Sequence, residues 1–269
     1  MMNQIAQALT IAGSDSGGGA GIQADLKTFQ MRGVFGASVI TAVTAQNTLG
    51  VSHIHTLPLD SIRAQIRAVA EDFSISACKI GMLGTAEITE CVAEMLRNKP
   101  FGRLVLDPVM IAKGGAPLLQ PDAVAVLKHS LMPLADVITP NLPEAEALTG
   151  ISIGSDADAE RAARLLQEAG AQNVVIKGGH SGQSQSSVCR DWVFTPNAHF
   201  ALESPRMPTP HTHGTGCTFA ACITAELAKG AYIETAVKLA KQFITAAISQ
   251  PLNIGHGHGP VNHWAFQTA

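Results

Sequence analysis

The feature that most constrains the fold is a regular alternation of strand-like and helix-like segments along the 269 residues of the chain. Residues 8–12 and 37–44 are apolar runs typical of buried strands, and residues 22–32 between them show a helical pattern. Parallel strands need crossover connections, so this order predicts a mostly parallel sheet with helices on both faces. Further strands are predicted at residues 76–80, 103–106, 136–139 and 173–177, helices at 61–73, 85–96, 158–169, 215–229 and 234–249, another helix beginning at Pro121, and a hairpin at 188–194 and 198–203.

The composition agrees with a sheet that is buried on both faces. Hydrophobic residues make up 46% of the chain and aromatic residues only 4%, so the core is built mainly of aliphatic side chains. This apolar share excludes an intrinsically disordered chain. The sequence has neither an internal repeat nor a linker, and we therefore predict a single domain over residues 1–269.

Charge and hydropathy exclude several classes of function. The formal net charge is −3 and no long basic run is present, which argues against a nucleic-acid partner. No apolar run reaches the ~18 residues of a membrane span. Residues 1–10 also lack the pattern of a signal peptide. We therefore expect a cytoplasmic protein that has no membrane partner.

Glycine, amide, carboxylate and proline residues follow one predicted strand after another. Ligands of open α/β sheets bind beyond the carboxyl ends of the strands. These residues therefore predict a ligand site at that edge of the sheet. The loops that carry them span residues 13–21, 45–47, 81–82, 107–109, 140–144 and 178–180.

The glycine-rich loop at residues 13–21 matches neither of two common nucleotide-binding motifs. A dinucleotide-binding fingerprint that used Gly17 and Gly19 would need a third glycine at the position of Ile22. The G-x-x-x-x-G-K-[ST] phosphate loop occurs nowhere in the sequence. A dinucleotide-binding turn and a P-loop kinase are therefore excluded.

The most informative motif is His-Gly-Thr-Gly-Cys-Thr-Phe at residues 213–219, directly before a helical apolar stripe. Glycines let a backbone approach a ligand closely, and N–H groups at a helix start bind anions such as a phosphoryl group in transfer. Cys217 lies at this helix start, where the positive end of the helix is expected to lower its thiol pKa. A thiolate there can take the proton of a substrate hydroxyl.

These motifs resemble the ribokinase-like superfamily, and within it the hydroxymethylpyrimidine/phosphomethylpyrimidine kinase family of thiamin biosynthesis. The resemblance extends over essentially the whole chain and includes AGSDSGGGAGIQADLKTFQ at residues 12–30, ITPNLPEA at 138–145 and THGTGCTFAA at 212–221. It implies a three-layer α/β/α fold with a central, mostly parallel sheet. It also implies ATP-dependent phosphorylation of 4-amino-5-hydroxymethyl-2-methylpyrimidine and then of its monophosphate.

The same resemblance assigns residues to the pyrimidine and to the phosphoryl group. Cys217 is expected to be the catalytic base, at a position where sugar kinases of the superfamily usually carry aspartate. Gln46 suits an aminopyrimidine edge because its amide both donates and accepts hydrogen bonds. The backbone of Gly214, Thr215, Gly216 and Cys217 is expected to form the anion hole, and Ala20, Asp25, Val43, Gln46, Met82 and Val109 to line the pyrimidine pocket.

ATP and Mg²⁺ are the cofactors that the resemblance implies. The expected metal ligands are Asp107 and Glu144, and Mg²⁺ prefers a small number of carboxylates together with water and phosphate oxygens. The resemblance also suggests a homodimer. Composition marks residues 113–115 and 181–187 as candidates for a lid. The expected ATP-binding residues are Asp107, Asn141, Lys177 and Lys241.

Two alternatives stay open. A pyridoxal or pyridoxine kinase of the same family shares a glycine–cysteine loop of this type. That branch resembles AMDP rather than AQNT near position 46, so Gln46 favours the pyrimidine. A catalytically silent ligand-binding regulator would keep the pocket but lose the base or the metal carboxylates, whereas Cys217, Asp107 and Glu144 are all present.

Overall fold

The strands of the protein assemble into one sheet. The structure, a computed structural model, describes residues 5–98, 101–112, 115–180 and 187–266. Residues 113, 114 and 181–186 of the two predicted lid segments lie outside this range. The strands are β1 (Gln7–Asp15), β2 (Phe35–Asn47), β3 (Gly50–Thr56), β4 (Ala77–Ile80), β5 (Arg103–Leu106), β6 (Val137–Ile138), β7 (Asn173–Lys177), β8 (Val188–Phe194) and β9 (His199–Pro205).

The sheet is mostly parallel, as the alternation of strands and helices predicted. Within the described residues it has nine strands in the order β3-β2-β1-β4-β5-β6-β7-β8-β9. The six central strands, β1, β2, β4, β5, β6 and β7, run parallel to one another. The edges are antiparallel, with β3 on β2 at one side and β8 and β9 at the other. All six parallel strands therefore present their carboxyl ends at the same edge of the sheet.

Helices cover both faces of this sheet and complete the expected three layers. Alternate residues of β1 supply the two cores, because Leu9 and Ile11 pack into one apolar cluster and Ala8 into the other. Phe219 and Phe243 anchor the second cluster. The helices are α1 (Gly21–Met31), α2 (Leu59–Asp72), α3 (Ala86–Asn98), α4 (Pro121–Val126), α5 (Leu142–Thr149), α6 (Asp156–Glu168), α7 (Thr215–Ala228) and α8 (Ile233–Ser249).

Two elements differ from the sequence prediction. Residues 45–47 are not a loop, because β2 continues to Asn47 and pairs with the unpredicted edge strand β3. This strand is largely exposed and lacks the apolar pattern that marks a buried strand. The short helix α5 was also not predicted. Its capping box, in which Asn141 and Glu144 bond each other's backbone N–H groups, was nevertheless visible as an N-x-x-E pattern.

Among the described residues, no helix is both long enough and apolar enough to cross a membrane.

The C-terminal segment, which follows α8, returns to the edge of the sheet. The backbone N–H of His213 donates to Gly259 at 3.1 Å, and Val261 donates back to the carbonyl oxygen of His213 at 3.2 Å. The C-terminal segment thus braces the loop that leads into α7.

Candidate active site

A cavity of about 490 Å³ lies at the carboxyl ends of the parallel strands. Residues that follow β1, β4, β5 and β6 line it, together with the loop that precedes α7. This is the edge at which the sequence predicted a ligand site. Of the residues expected to bind substrates, the cavity is lined by Ala20, Gln46, Met82, Asp107, Val109, Asn141, Glu144, Lys177, Gly214, Thr215, Gly216 and Cys217.

The carboxylate of Asp15, at the end of β1, organises the glycine-rich loop. It accepts hydrogen bonds from the backbone N–H groups of Gly17 at 2.8 Å, Gly19 at 3.0 Å and Ala20 at 2.8 Å. A further contact of 2.8 Å joins it to Nε2 of His213. Burial alone would raise the pKa of Asp15, but the hydrogen bonds from His213, Ala20 and Gly17 outweigh it and lower that pKa. The carboxylate is therefore ionised at neutral pH.

Gly214, directly before α7, has a backbone conformation that favours glycine. Its φ is +82°, and a Cβ atom added to it would lie 1.8 Å from the carbonyl oxygen of Gly19. The glycine-rich loop and the start of α7 therefore touch backbone to backbone. This contact places the amino-terminal end of α7, a favourable position for an anion, at the wall of the cavity.

Cys217 is half-buried in the first turn of α7 and faces the cavity. Burial raises the pKa of its thiol to about 11; Lys79 opposes this rise, whereas Asp25 and Asp107 add to it. The position of Cys217 at the helix start predicted a lowered pKa, and that prediction is wrong. The physical reason is that desolvation disfavours the thiolate more than the neighbouring positive charge favours it. In this structure the thiol is protonated at neutral pH.

A fully buried ion pair lies against the floor of the cavity. Nζ of Lys79 is 2.9 Å from each carboxylate oxygen of Asp25, and the hydroxyl of Thr10 donates to the same carboxylate at 2.6 Å. Burial alone would lower the pKa of Lys79, but Asp25 outweighs it and raises that pKa. Asp25 was expected to line the pyrimidine pocket. The structure instead occupies its carboxylate with Thr10 and Lys79, and it is Lys79 that reaches the cavity wall.

Val43 also lies elsewhere than expected. It is 45% exposed and is not among the residues that line the cavity. Successive side chains of a strand point to opposite faces of the sheet. Thr44 and Gln46 of β2 line the cavity, so Val43, which directly precedes Thr44 in the strand, points to the opposite face.

Two further carboxylates and a second lysine line the cavity. Nζ of Lys177 lies 2.8 Å from Oδ1 of Asp107, to which the hydroxyl of Thr139 also donates at 3.1 Å. Glu144 accepts from the backbone N–H of Asn141 at 2.8 Å, and its own N–H donates to the Asn141 side chain at 2.9 Å. The capping box that begins α5 therefore also fixes the Glu144 carboxylate beside the cavity.

Burial raises the pKa of Glu144 to about 7; Lys177 opposes this rise and Asp107 adds to it. For Asp107 itself, burial is outweighed by Lys177 and Lys79, so its pKa is lowered. Within the described residues, no group of three or more His, Cys, Asp or Glu side chains lies close enough together to hold a metal. The pair formed by Asp107 and Glu144 instead fits Mg²⁺, which uses few carboxylates and completes its shell with water and phosphate oxygens.

A second cavity of about 150 Å³ adjoins the first. The two share Lys177, Thr212, Thr215 and Gly216 in their walls. Lys241 from α8 lines only the smaller one, where its ammonium group donates to Asp191 at 2.8 Å. The expected ATP-binding residues are thus divided: Asp107 and Asn141 line the larger cavity, Lys241 the smaller one, and Lys177 both.

Comparison with known proteins decides the family. The sequence matches the family described as phosphomethylpyrimidine kinase over residues 15–262. The chain belongs to the phosphomethylpyrimidine kinase family. It is therefore a phosphotransferase, as the family resemblance of its motifs implied. The hydroxymethylpyrimidine/phosphomethylpyrimidine kinase of Haemophilus influenzae is 70% identical over 98% of this chain and 99% of its own. That of Bacillus subtilis is 54% identical over 98% of this chain and 96% of its own.

Solved structures of the family share the fold. An ADP complex of Bacillus subtilis pyridoxal kinase has a TM-score of 0.89 at 42% identity, covering 97% of this chain and 98% of that one. Staphylococcus aureus pyridoxal kinase with AMP-PCP has a TM-score of 0.90 at 36% identity, covering 98% and 95%. Phosphomethylpyrimidine kinase from Clostridium difficile has a TM-score of 0.80 at 44% identity, covering 91% and 100%. The ribokinase-like fold implied by the sequence motifs is therefore confirmed.

Three polar residues at the site were not among the sequence-predicted site residues. Asp15 was not recognised within the glycine-rich loop, although a carboxylate two residues before a run of glycines is a signal for hydrogen bonding to the local backbone. Lys79 could have been found as a charged residue inside an otherwise apolar strand. His213 stands beside Gly214 in the strongest motif, but only the fold brings its ring to Asp15.

Proposed function

We propose that this chain uses ATP to phosphorylate 4-amino-5-hydroxymethyl-2-methylpyrimidine, and then its monophosphate, as in thiamin biosynthesis. One observation carries the proposal: a single cavity joins the amide of Gln46 to the start of α7, where Cys217 lies. The amide suits an aminopyrimidine edge, and the helix start suits the phosphoryl group. The names of the relatives from Haemophilus influenzae and Bacillus subtilis support the same substrates.

The pyrimidine binds with its polar edge toward Gln46. The apolar side chains of Ala20, Met82 and Val109, which line the same cavity, contact its ring and its methyl group. Asp25 and Val43 have no direct contact with the ring in this proposal. Asp25 influences the site indirectly, because its buried carboxylate neutralises the charge of Lys79.

Phosphoryl transfer takes place at the start of α7. The hydroxymethyl oxygen of the substrate attacks the γ-phosphorus of ATP, the bond between that phosphorus and the β,γ-bridging oxygen breaks, and ADP leaves. The proton of the hydroxyl passes to the sulfur of Cys217, which acts in its thiolate form. The backbone of Gly214–Cys217 forms the anion hole for the transferred phosphoryl oxygens. The buried ammonium of Lys79 favours the thiolate electrostatically.

The nucleotide occupies the smaller cavity and extends toward the larger one. Lys177, which lies in both walls, binds its phosphates, and Asn141 and Lys241 contribute from either side. Asp107 and Glu144 would hold Mg²⁺, which would supply positive charge to neutralise the phosphates. The ADP and AMP-PCP complexes of the related pyridoxal kinases support a nucleotide in this fold.

We also propose that the protein is cytoplasmic and forms a homodimer; the family resemblance suggests the dimer. The exposed edge strand β3 offers unpaired backbone groups that a second copy can cover. Light scattering after size exclusion tests the assembly, because a dimer has twice the 28.0 kDa of the chain.

Coupled ADP release with Mg²⁺ and ATP tests the activity. The purified chain is supplied in turn with the hydroxymethylpyrimidine, its monophosphate, pyridoxal and ribose. We expect turnover of the pyrimidine and of its monophosphate, and little of ribose. Turnover of pyridoxal alone would keep the fold and the chemistry but overturn the substrate. Pyridoxal is included in the test because the structural relatives include pyridoxal kinases with TM-scores of 0.89 and 0.90.

A further inference from the structure

Three separate segments of the chain meet at the imidazole of His213. Its Nε2 atom lies 2.8 Å from Oδ2 of Asp15 and 3.4 Å from the side-chain nitrogen of Gln46. The ring is buried, and the backbone of His213 is bonded on both sides to the C-terminal segment. The imidazole is thus held in place by its own backbone and by Asp15.

Asp15 decides which ring nitrogen of His213 carries a proton. An ionised carboxylate can only accept hydrogen bonds, and this one already accepts three from backbone N–H groups. The contact of 2.8 Å is a hydrogen bond only when Nε2 is the donor. Nε2 of His213 therefore carries a proton whether the ring is neutral or charged.

Because Nε2 donates its single proton to Asp15, it has no lone pair in the ring plane to accept a hydrogen bond from the amide nitrogen of Gln46, 3.4 Å away. The partial positive charge of the same N–H group favours the oxygen end of the amide at that position. The two ends of an amide are nearly equal in size, so rotation by half a turn replaces the nitrogen by the oxygen. Thr44 accommodates this rotation: its hydroxyl lies 2.9 Å from the carbonyl oxygen of Ser14, to which it donates its single proton. The Thr44 oxygen, 3.1 Å from the other end of the amide, is then free to accept from the nitrogen.

We propose that His213, held by Asp15, is a positioning residue that fixes the amide of Gln46 with its oxygen toward the imidazole and thereby sets substrate selectivity. A 4-aminopyrimidine offers an amino donor beside a ring-nitrogen acceptor. The 4-oxo analogue offers a carbonyl acceptor beside a ring N–H donor. An amide that cannot rotate matches one of these two edges and opposes the other. The inference rests on the proposed function, because it assigns the selectivity of that same site.

The test compares two substrates in three variants. Values of kcat/KM are measured for 5-hydroxymethyl-2-methylpyrimidines that carry either a 4-amino or a 4-oxo group. His213→Leu removes the N–H donor, and we expect it to lower the amino-to-oxo preference by about 10- to 100-fold. His213→Gln retains an N–H donor at the end of the side chain and is expected to restore most of the preference.

His263→Leu is the matched control. His263 is another buried histidine behind α7, bonded to the hydroxyl of Thr218 at 3.0 Å, and it does not line the cavity. Its loss is expected to lower stability without a change in the preference ratio. A His213→Leu enzyme that keeps the wild-type ratio, or a His263→Leu enzyme that loses it, would overturn the inference.

Nitrogen NMR of the imidazole gives a readout that needs no substrate. Protein labelled with ¹⁵N in its histidines is expected to show the His213 proton on Nε2, assigned by comparison with His213→Gln. A proton found only on Nδ1 would overturn the inference while leaving the proposed function intact. A wild-type chain that shows this tautomer but releases no ADP with the aminopyrimidine would overturn the proposed function, and the selectivity with it.

Discussion

The ammonium group of Lys79 lies 2.9 Å from both carboxylate oxygens of Asp25, and the two side chains are fully buried. Neither charge has access to bulk solvent, so each depends on the other for compensation. The pair joins α1, which carries Asp25, to β4, which carries Lys79, and it lies close enough to Cys217 to influence its pKa. Stability and chemistry are therefore linked at this point.

Removal of one member of this pair should destabilise the protein strongly. Lys79→Met leaves the Asp25 carboxylate buried without its partner, and we expect a loss of about 3–5 kcal/mol in the free energy of unfolding. The double variant Asp25→Leu with Lys79→Met should lose less than this single one, because no charge is left unpaired. Urea denaturation measures both. The exposed ion pair of Arg164 and Glu160 is the comparison, and Arg164→Ala should cost less than about 1 kcal/mol.

Gly214→Ala should disable the site. The substituted residue meets the carbonyl oxygen of Gly19 and must also keep a φ of +82°. The matched control is Gly230→Ala after α7, since Gly230 has a similar φ of +86° but no atom within 4 Å of an added Cβ. In each variant, the left-handed backbone conformation of the new alanine destabilises the protein by about 1 kcal/mol. Only Gly214→Ala is expected to abolish ADP release, and equal residual activity in the two would argue against the backbone contact.

The pKa of Glu144 makes stability depend on pH. Its ordinary value is 4.5 and burial raises it to about 7, so the folded state binds more protons than the unfolded state between these values. The contribution of Glu144 to the free energy of unfolding should therefore be largest below pH 4.5. It should fall by on the order of 3 kcal/mol as pH rises to 7.

Glu144→Gln keeps the capping acceptor and removes the titration. Denaturation at pH 5 and at pH 7.5, without Mg²⁺, should show a smaller difference in the variant than in the wild type. If the two proteins lose stability equally over this range, Glu144 is not the group responsible.

Cys217→Ser should keep ATP binding and lose most turnover. A hydroxyl is a far weaker acid than a thiol, so serine cannot supply the anion that accepts the substrate proton, and we expect kcat to fall by about 10²–10⁴-fold. Because the thiol pKa is about 11, kcat of the wild type should also rise with pH through the neutral range. Steady-state kinetics with nucleotide binding by calorimetry measures both effects. Wild-type kcat in the serine variant would reject the thiolate base.

Gln46→Met should affect the pyrimidine and spare the nucleotide. Methionine keeps the length of the side chain but offers neither the donor nor the acceptor of the amide. We expect the KM for the hydroxymethylpyrimidine to rise by about tenfold or more, and the KM for ATP to change little. Initial rates with each substrate varied in turn separate the two constants. An unchanged pyrimidine KM would remove Gln46 from the recognition of the ring.

The sequence by itself determined the architecture and the edge of the sheet at which the site lies. The alternation of apolar strands and amphipathic helices leaves one common solution, and the glycine–cysteine loop marked the start of α7. The sequence did not predict β3, because an exposed edge strand has no buried face that would require a pattern of apolar residues. The helix-start motif identified Cys217, and the family resemblance identified Gln46 and Asp107; all three line the cavity.

Tertiary structure alone decided the charges and the partners within the site. The pKa of Cys217 depends on how much water the fold removes from the thiol, and this burial reversed the shift that the helix start predicted. The carboxylate of Asp25 binds Lys79, a residue distant in sequence, and does not line the pocket. The contact between Asp15 and His213 joins residues that are 198 positions apart in the sequence. Such pairings depend on distances in space, which a linear pattern of residues does not contain.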